Sequence, residues 1–176
     1  MVSLTHHLRR AGVCVASGYG IKVFVQHGQL VVEDGTEYVD AFRRLAPQGA
    51  EVEWLHAPDA ATARSLLNEH SVEAIFLDLV FDRTPPEALA GDREALVARF
   101  SGDRERALAH LAGNQGFYVA AALASAIPPG IRVLLAYDFS SDPARLATLR
   151  ESLTGLEGVA EGTSASGLVR RLRGES

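Results

Sequence analysis

The stretch Val72–Asp82, VEAIFLDLVFD, decides how this 176-residue chain is read. Its apolar part, Ala74–Phe81, is interrupted by a single acidic residue, Asp78. Periodicity alone does not separate strand from buried helix in so short a run. Length and composition do, because the core Ala74–Leu77 is short and Ile75, Phe76 and Val80 suit a strand. An apolar run without alternation predicts a strand buried on both faces, as in a parallel sheet covered by helices. Ligand sites of such sheets lie beyond the carboxyl ends of the strands, and Asp78 lies near that end. A lone carboxylate there can equally cap the next turn, so its neighbours decide its role.

Working outward, the same rhythm recurs on both sides. Gln29–Val32 reads as a strand ending in Glu33-Asp34, and Gly35-Thr36 turns the chain into TEYVDAFRRLA. There Tyr38, Val39, Phe42 and Leu45 have helical spacing, with Thr36 as the expected N-cap and Pro47-Gln48-Gly49 as the stop. Val52–Leu55 alternates as an edge strand does, and Asp59 is placed to cap the helix AATARSLLNEH. After Asp78, residues 83–115 hold no strand candidate. They read instead as charged helical stretches, PEALAG, DREALVARF and DRERALAHLAGNQ, a helical insertion that is either a solvated appendage or a lid and partner surface. On it Phe100, Arg104 and Arg106 are the expected partner contacts. GFYVAAALASA is an apolar helix, Ile131–Ala136 a fourth strand, and Ser140-Ser141-Asp142 a capping cluster with Pro143 in the first helical turn. Leu156–Ala160 is a fifth strand and SASGLVRRLRG the last helix. Strands alternating with helices over short joints predict a doubly wound parallel α/β sheet of five strands, flavodoxin/CheY-like, in the order 2-1-3-4-5.

Residues 1–28 read as an extension that carries a hairpin strand, and residues 29–176 as the main domain. Ile21–Val25 and Gln29–Val32, separated by Gln26-His27-Gly28, form the expected hairpin. The segment GYGIKVFVQHGQLVVEDG, residues 18–35, also resembles the amino-terminal hairpin of the CRISPR integrase family.

Composition narrows the function. The chain is 47% hydrophobic, enough for one domain with a real core. Its net charge of −5 argues against nucleic acid as the partner. Cys14 is the single cysteine, which excludes an internal disulfide and a cysteine-rich zinc site. No apolar run reaches membrane-spanning length and no secretory signal is evident, so a cytoplasmic, non-membrane protein is expected.

In the 2-1-3-4-5 order the first and third strands are neighbours, so Glu33, Asp34 and Asp78 are brought together at their carboxyl ends. Such an oxygen-rich cluster suits Mg²⁺, and a carboxylate beside the ion can attack a phosphoryl group. QLVVEDGTEYVDAFRRLA, AEVEWLHAPDAATARSLLNEHSVEAIFLDLVF and NQGFYVAAALASAIPPGIRVLLAYD resemble the receiver domains of bacterial response regulators, over residues 29–173. The resemblance implies that Asp78 is the phosphoacceptor, that Glu33 and Asp34 hold Mg²⁺, and that a histidine kinase is upstream. It also implies that output passes through a partner protein or a homodimer. The sequence departs from that family at three places, the first being the 83–115 insertion in place of a short loop after the phosphoacceptor strand. VLLAYD offers Leu135 or Ala136 where a Thr or Ser is expected. Glu161-Gly162-Thr163 stands where a Lys-Pro pair is expected, and the only lysine is Lys22. Arg83 is then the candidate phosphate contact. Two other readings stay open: a metal-dependent phosphoester hydrolase built on Glu33, Asp34, Asp78 and Asp82, and a pseudo-receiver whose acidic cluster only caps turns.

Overall fold

Past the first residues of its strands the sheet divides its side chains by parity, and that division explains the layers around it. The computed structural model describes residues 27–46 and 52–175. Five parallel strands, β1 (His27–Val32), β2 (Val52–Ala57), β3 (Val72–Leu77), β4 (Arg132–Leu135) and β5 (Leu156–Gly158), lie in the order β2-β1-β3-β4-β5. Leu30, Val32, Ile75, Leu77, Val133 and Leu135 face one side, while Val31, Ala74, Phe76 and Leu134 face the other. Both sets are buried, which is why β3 reads as a run without alternation.

Helix α1 (Glu37–Leu45) and the last helix, α7 (Ala165–Leu172), cover the second side with Val39, Phe42, Leu168, Val169 and Leu172. Helices α2 (Ala60–Glu69) and α5 (Gln115–Leu123) cover the first with Ala63, Phe117, Val119, Ala120 and Leu123. Helix α6 (Pro143–Ser152) follows a short 3-10 turn, Phe139–Ser141, and buries no residue of its own. Asp59 accepts the Thr62 N–H at 2.7 Å and Asp142 the Arg145 N–H at 3.1 Å, so both caps form as the sequence implies.

The insertion is part of the core. Its two helices, α3 (Arg93–Arg99) and α4 (Arg104–Ala112), add Leu96, Ala107 and Leu111 to the same cluster as Ile75 and Leu77. The fully buried Gln115 pins its first loop. The side-chain amide accepts the Ala90 N–H at 2.6 Å and donates to Ala90 O at 3.1 Å and Leu111 O at 3.3 Å. PEALAG is a turn and not the expected helix, since Leu89 is drawn into the core and Gly91 bends the chain with φ of 120°.

The amino-terminal hairpin is corrected as well. His27 and Gly28, expected in a turn, are strand residues, and β1 pairs in parallel with β2 on one edge and β3 on the other. No edge of β1 remains for an antiparallel partner, so Gln29–Val32 is not half of a hairpin. Cys14, Lys22, the Ile21–Val25 stretch and the Pro47-Gln48-Gly49 stop lie outside the described residues.

Candidate functional site

The carboxyl ends of β1 and β3 carry the acidic residues side by side. Register places Val32 beside Leu77, and the Asp78 N–H donates to Val32 O at 2.9 Å. Topology therefore brings Glu33, Asp34 and Asp78 to one corner, and each carboxylate is committed to a different backbone group.

Glu33 is only 1% exposed. Its Oε2 accepts the Tyr38 N–H at 3.0 Å and its Oε1 the Val39 N–H at 2.7 Å. These are among the first N–H groups of α1, which have no partner within the helix. Thr36 occupies the N-cap position but makes no side-chain capping bond, so Glu33 does the capping from three residues upstream. The negative charge is also favoured at a helix N-terminus.

Asp34 holds the loop after β3. Its Oδ2 accepts the backbone N–H groups of Arg83 at 2.5 Å and Thr84 at 3.1 Å. The Arg83 side chain reaches back to Glu37, with Nη2 to Oε1 at 2.6 Å. That hydrogen bond holds the Glu37 carboxyl down at about 2.

Asp78 is partly buried and accepts the Leu79 N–H on Oδ1 at 2.8 Å. Burial pushes its carboxyl up to about 6; the Leu79 N–H opposes this, and the charges of Glu33 and Asp34 add to it. Burial, then Asp78 and Glu33, also push the Tyr38 phenol up. The Tyr38 ring packs 4.6 Å from that of Phe76.

The register also settles what surrounds Asp78. Leu77 pairs with Leu135 and Leu135 with Gly158. The next residues in line are Asp78, Ala136 and Val159, joined by Ala136 N–H to Leu77 O at 2.9 Å and Val159 N–H to Leu135 O at 3.0 Å. Neither a hydroxyl nor a cation stands in that row. Glu161 lies two residues beyond Val159, and its own N–H approaches Asp138 Oδ2 at 3.4 Å.

A cleft of about 460 Å³ opens beside the row, between Tyr38, Phe76, Ala136 and Tyr137 on one side and Val159–Thr163 on the other. Asp138 borders it, and its carboxyl is held below the usual range by the Ser140 N–H. Asp138, Glu37 and Gln115 were not singled out from sequence. Only the YD after the β4 run hinted at the first, since a polar residue just past a buried strand starts the loop at the ligand-bearing edge.

Mg²⁺ needs carboxylate oxygens open to it, because it keeps several waters and takes one or two carboxylates directly. Here both Glu33 oxygens are spent on α1, and Asp34 Oδ2 is bonded to the Arg83 loop. Among the described residues no group of three or more His, Cys, Asp or Glu is arranged to hold a metal ion. Of the three carboxylates expected to hold Mg²⁺, Glu33 is the one with no oxygen left for an ion.

No protein-family model matches the chain, and no curated protein matches it. Solved structures do. A response regulator receiver protein from Pseudomonas putida superposes with a TM-score of 0.53 at 12% identity, covering 87% of this chain and 100% of that one. The chain has the receiver fold. The chemotaxis protein CheY4 of Vibrio cholerae gives 0.52 at 13% identity, over 86% and 99% of the two chains. A CheY-like receiver domain protein from Methanospirillum hungatei gives 0.50 at 12%, over 85% and 92%. At these identities the likeness is one of architecture. No helix among the described residues is long and apolar enough to cross a membrane.

Proposed function

We propose that the chain is a pseudo-receiver: an interaction module with the receiver fold that signals through a protein partner without metal-dependent phosphorylation of Asp78. One observation carries this reading. The buried Glu33 carboxylate is bound through both oxygens to the start of α1 and is not free to ligate an ion. Two others agree with it: Ala136 and Val159 stand beside Asp78 where phosphoryl chemistry would want a hydroxyl and a cation. Arg83, the candidate substitute cation, is directed to Glu37.

The surface best suited to a partner is the insertion. Phe100 packs against His110 with ring centroids 5.3 Å apart, and the Arg106 guanidinium lies 5.0 Å from its ring. Arg104 borders a groove of about 430 Å³ between α3 and α4, with Arg93, Glu94, Val97 and Leu108. Aromatic and arginine side chains of this kind are what binding surfaces concentrate.

The test is incubation with acetyl phosphate and Mg²⁺, read by intact mass. An unmodified chain is expected. A phosphoryl adduct that needs Mg²⁺ and disappears in Asp78→Asn overturns the reading.

A further inference from the structure

The turn that joins α3 to α4 gathers positive charge on a chain whose net charge is −5. Arg99 closes α3, Arg104 opens α4 and Arg106 follows in its first turn. Between them the half-buried Phe100 packs against the core. The Arg106 guanidinium lies 5.0 Å from the centroid of its ring and the Arg99 guanidinium 5.8 Å. All three arginines are exposed, and among the described residues none is ion-paired to a carboxylate. The acidic groups of these two helices do not answer that charge. Asp103 is committed through Oδ1 to the Arg106 N–H at 2.9 Å, as the cap of α4. Glu94 lies in the first turn of α3, at the other end of that helix from Arg99. Glu105 is next to Arg104 and Arg106 in sequence, and neighbours in sequence do not share a helix face.

Two guanidinium groups drawn to one ring repel each other, and an anion placed with them offsets that repulsion. The groove beside the turn adds an apolar partner to the charge. It has a volume of about 430 Å³ and is lined by Val97 and Leu108, with Arg104 at its border. Leu108 is only half-buried. Carboxylate recognition next to an apolar groove suits a peptide and not a bare anion. A nucleic acid is disfavoured, because the net charge of −5 repels a long polyanion.

We infer that the Phe100 turn and the groove between α3 and α4 are the docking surface for an acidic segment of a partner protein, whose carboxylates pair with Arg99, Arg104 and Arg106 and whose apolar side chains lie on Val97 and Leu108. The inference names the partner chemistry of the pseudo-receiver reading and rests on it for the need of a partner. The occupant is chosen by charge complementarity. Arginine suits the task because its planar fork takes a carboxylate through two bonds while its face stacks on a ring. The surface is also held ready, since Leu96, Ala107 and Leu111 anchor both helices in the core.

The experiment is a selection of short random peptides, displayed on phage, on the whole chain. Enriched sequences are expected to carry paired Asp or Glu residues beside Leu, Ile or Phe. An enriched peptide, resynthesised, is expected to move the Val97, Phe100 and Leu108 amides saturably, with affinity that weakens as salt is raised. Its counterpart with Asn and Gln in place of Asp and Glu, and the double variant Arg99→Gln, Arg106→Gln of the chain, are each expected to bind about tenfold weaker or worse. Both arginines are exposed, so unchanged melting of the variant is expected and confirms that the fold is intact. No enrichment, enrichment of neutral or basic peptides, movement confined to amides outside α3 and α4, or undiminished binding by the folded double variant overturns the inference. Phosphoryl transfer to Asp78 is measured without any peptide, so failure of the docking surface and failure of the pseudo-receiver reading give different results.

Discussion

Glu33 Oε1 accepts the backbone N–H of Val39 at 2.7 Å, six residues ahead in the chain. The first strand and the first helix are thereby joined through a buried charge, at the position where the receiver resemblance implied a metal ligand. Replacing Glu33 separates a structural role from a metal-binding one. Glu33→Ala removes both acceptors and leaves the Tyr38 and Val39 N–H groups without partners. It is expected to destabilise by about 2–3 kcal/mol, from the lost cap and the desolvated donors. Glu33→Gln keeps one acceptor oxygen and is expected to cost roughly half as much. Urea denaturation of both variants checks this. A metal ligand with no capping role would leave stability unchanged or improve it.

Asp78 makes stability depend on pH. Its carboxyl sits at about 6 in the fold against 3.8 for an ordinary aspartate. The native state therefore holds a proton that the unfolded chain releases between those values. The stability this provides is full below about pH 4 and is lost as pH rises through about 6. Asp78→Asn is expected to stabilise the protein at pH 8 by about 1 kcal/mol, after discounting for solvent access, and to bring no gain below about pH 4. Melting curves of both proteins across pH 4–8 check the crossover.

Gly116 bears on the same residue from the other side. A Cβ there would meet Asp78 O at 2.4 Å and Leu135 Cδ1 at 2.6 Å. Its N–H also donates to Leu79 O at 3.0 Å. Gly116→Ala forces α5 away from the end of β3 and is expected to cost about 2–3 kcal/mol, in the range of core overpacking. Chemical denaturation measures it, and an effect under about 0.5 kcal/mol, the range of an unconstrained surface site, would contradict the close approach.

Gln115 tests whether the insertion is a packed part of the domain. Gln115→Ala abolishes its three bonds to Ala90 and Leu111 and leaves a cavity, an expected loss of about 2–4 kcal/mol. Faster amide exchange at Ala90 is expected to accompany it. If the insertion were a solvated appendage, the substitution would change exchange locally and leave global unfolding as it was.

Much of this fold was legible in the sequence because period and punctuation agreed. VEAIFL read as a strand buried on both faces, Asp59 and Asp142 as caps, and Leu168, Val169 and Leu172 as one helix face. The strand order followed from the β-α alternation. The Gln26-His27-Gly28 turn misread for a physical reason: a glycine between two apolar runs looks like a hairpin. The long-range pairing of β1 with β2 and β3, which puts His27 and Gly28 in a strand, leaves no mark on local sequence. PEALAG misread as helix because propensity says nothing of the pull that the core exerts on Leu89.

The site was legible as a list of residues and not as a set of bonds. Adjacent acidic residues at the end of a strand signal a cluster whether they hold a metal or cap a helix. The difference lies in where the oxygens point. Thr36 was the obvious cap for α1 from sequence, and nothing in its neighbourhood revealed that the glutamate three residues earlier would take its place.

The most direct measurement is a Mg²⁺ titration of the chain through the millimolar range, following the backbone amide resonances of Tyr38 and Val39. These N–H groups report the Glu33 carboxylate itself. Both resonances are expected to stay in place with Mg²⁺, while Glu33→Gln shifts them strongly. Saturable movement of both with Mg²⁺, abolished in Asp34→Asn or Asp78→Asn, would show Glu33 leaving the helix for an ion and would contradict the pseudo-receiver.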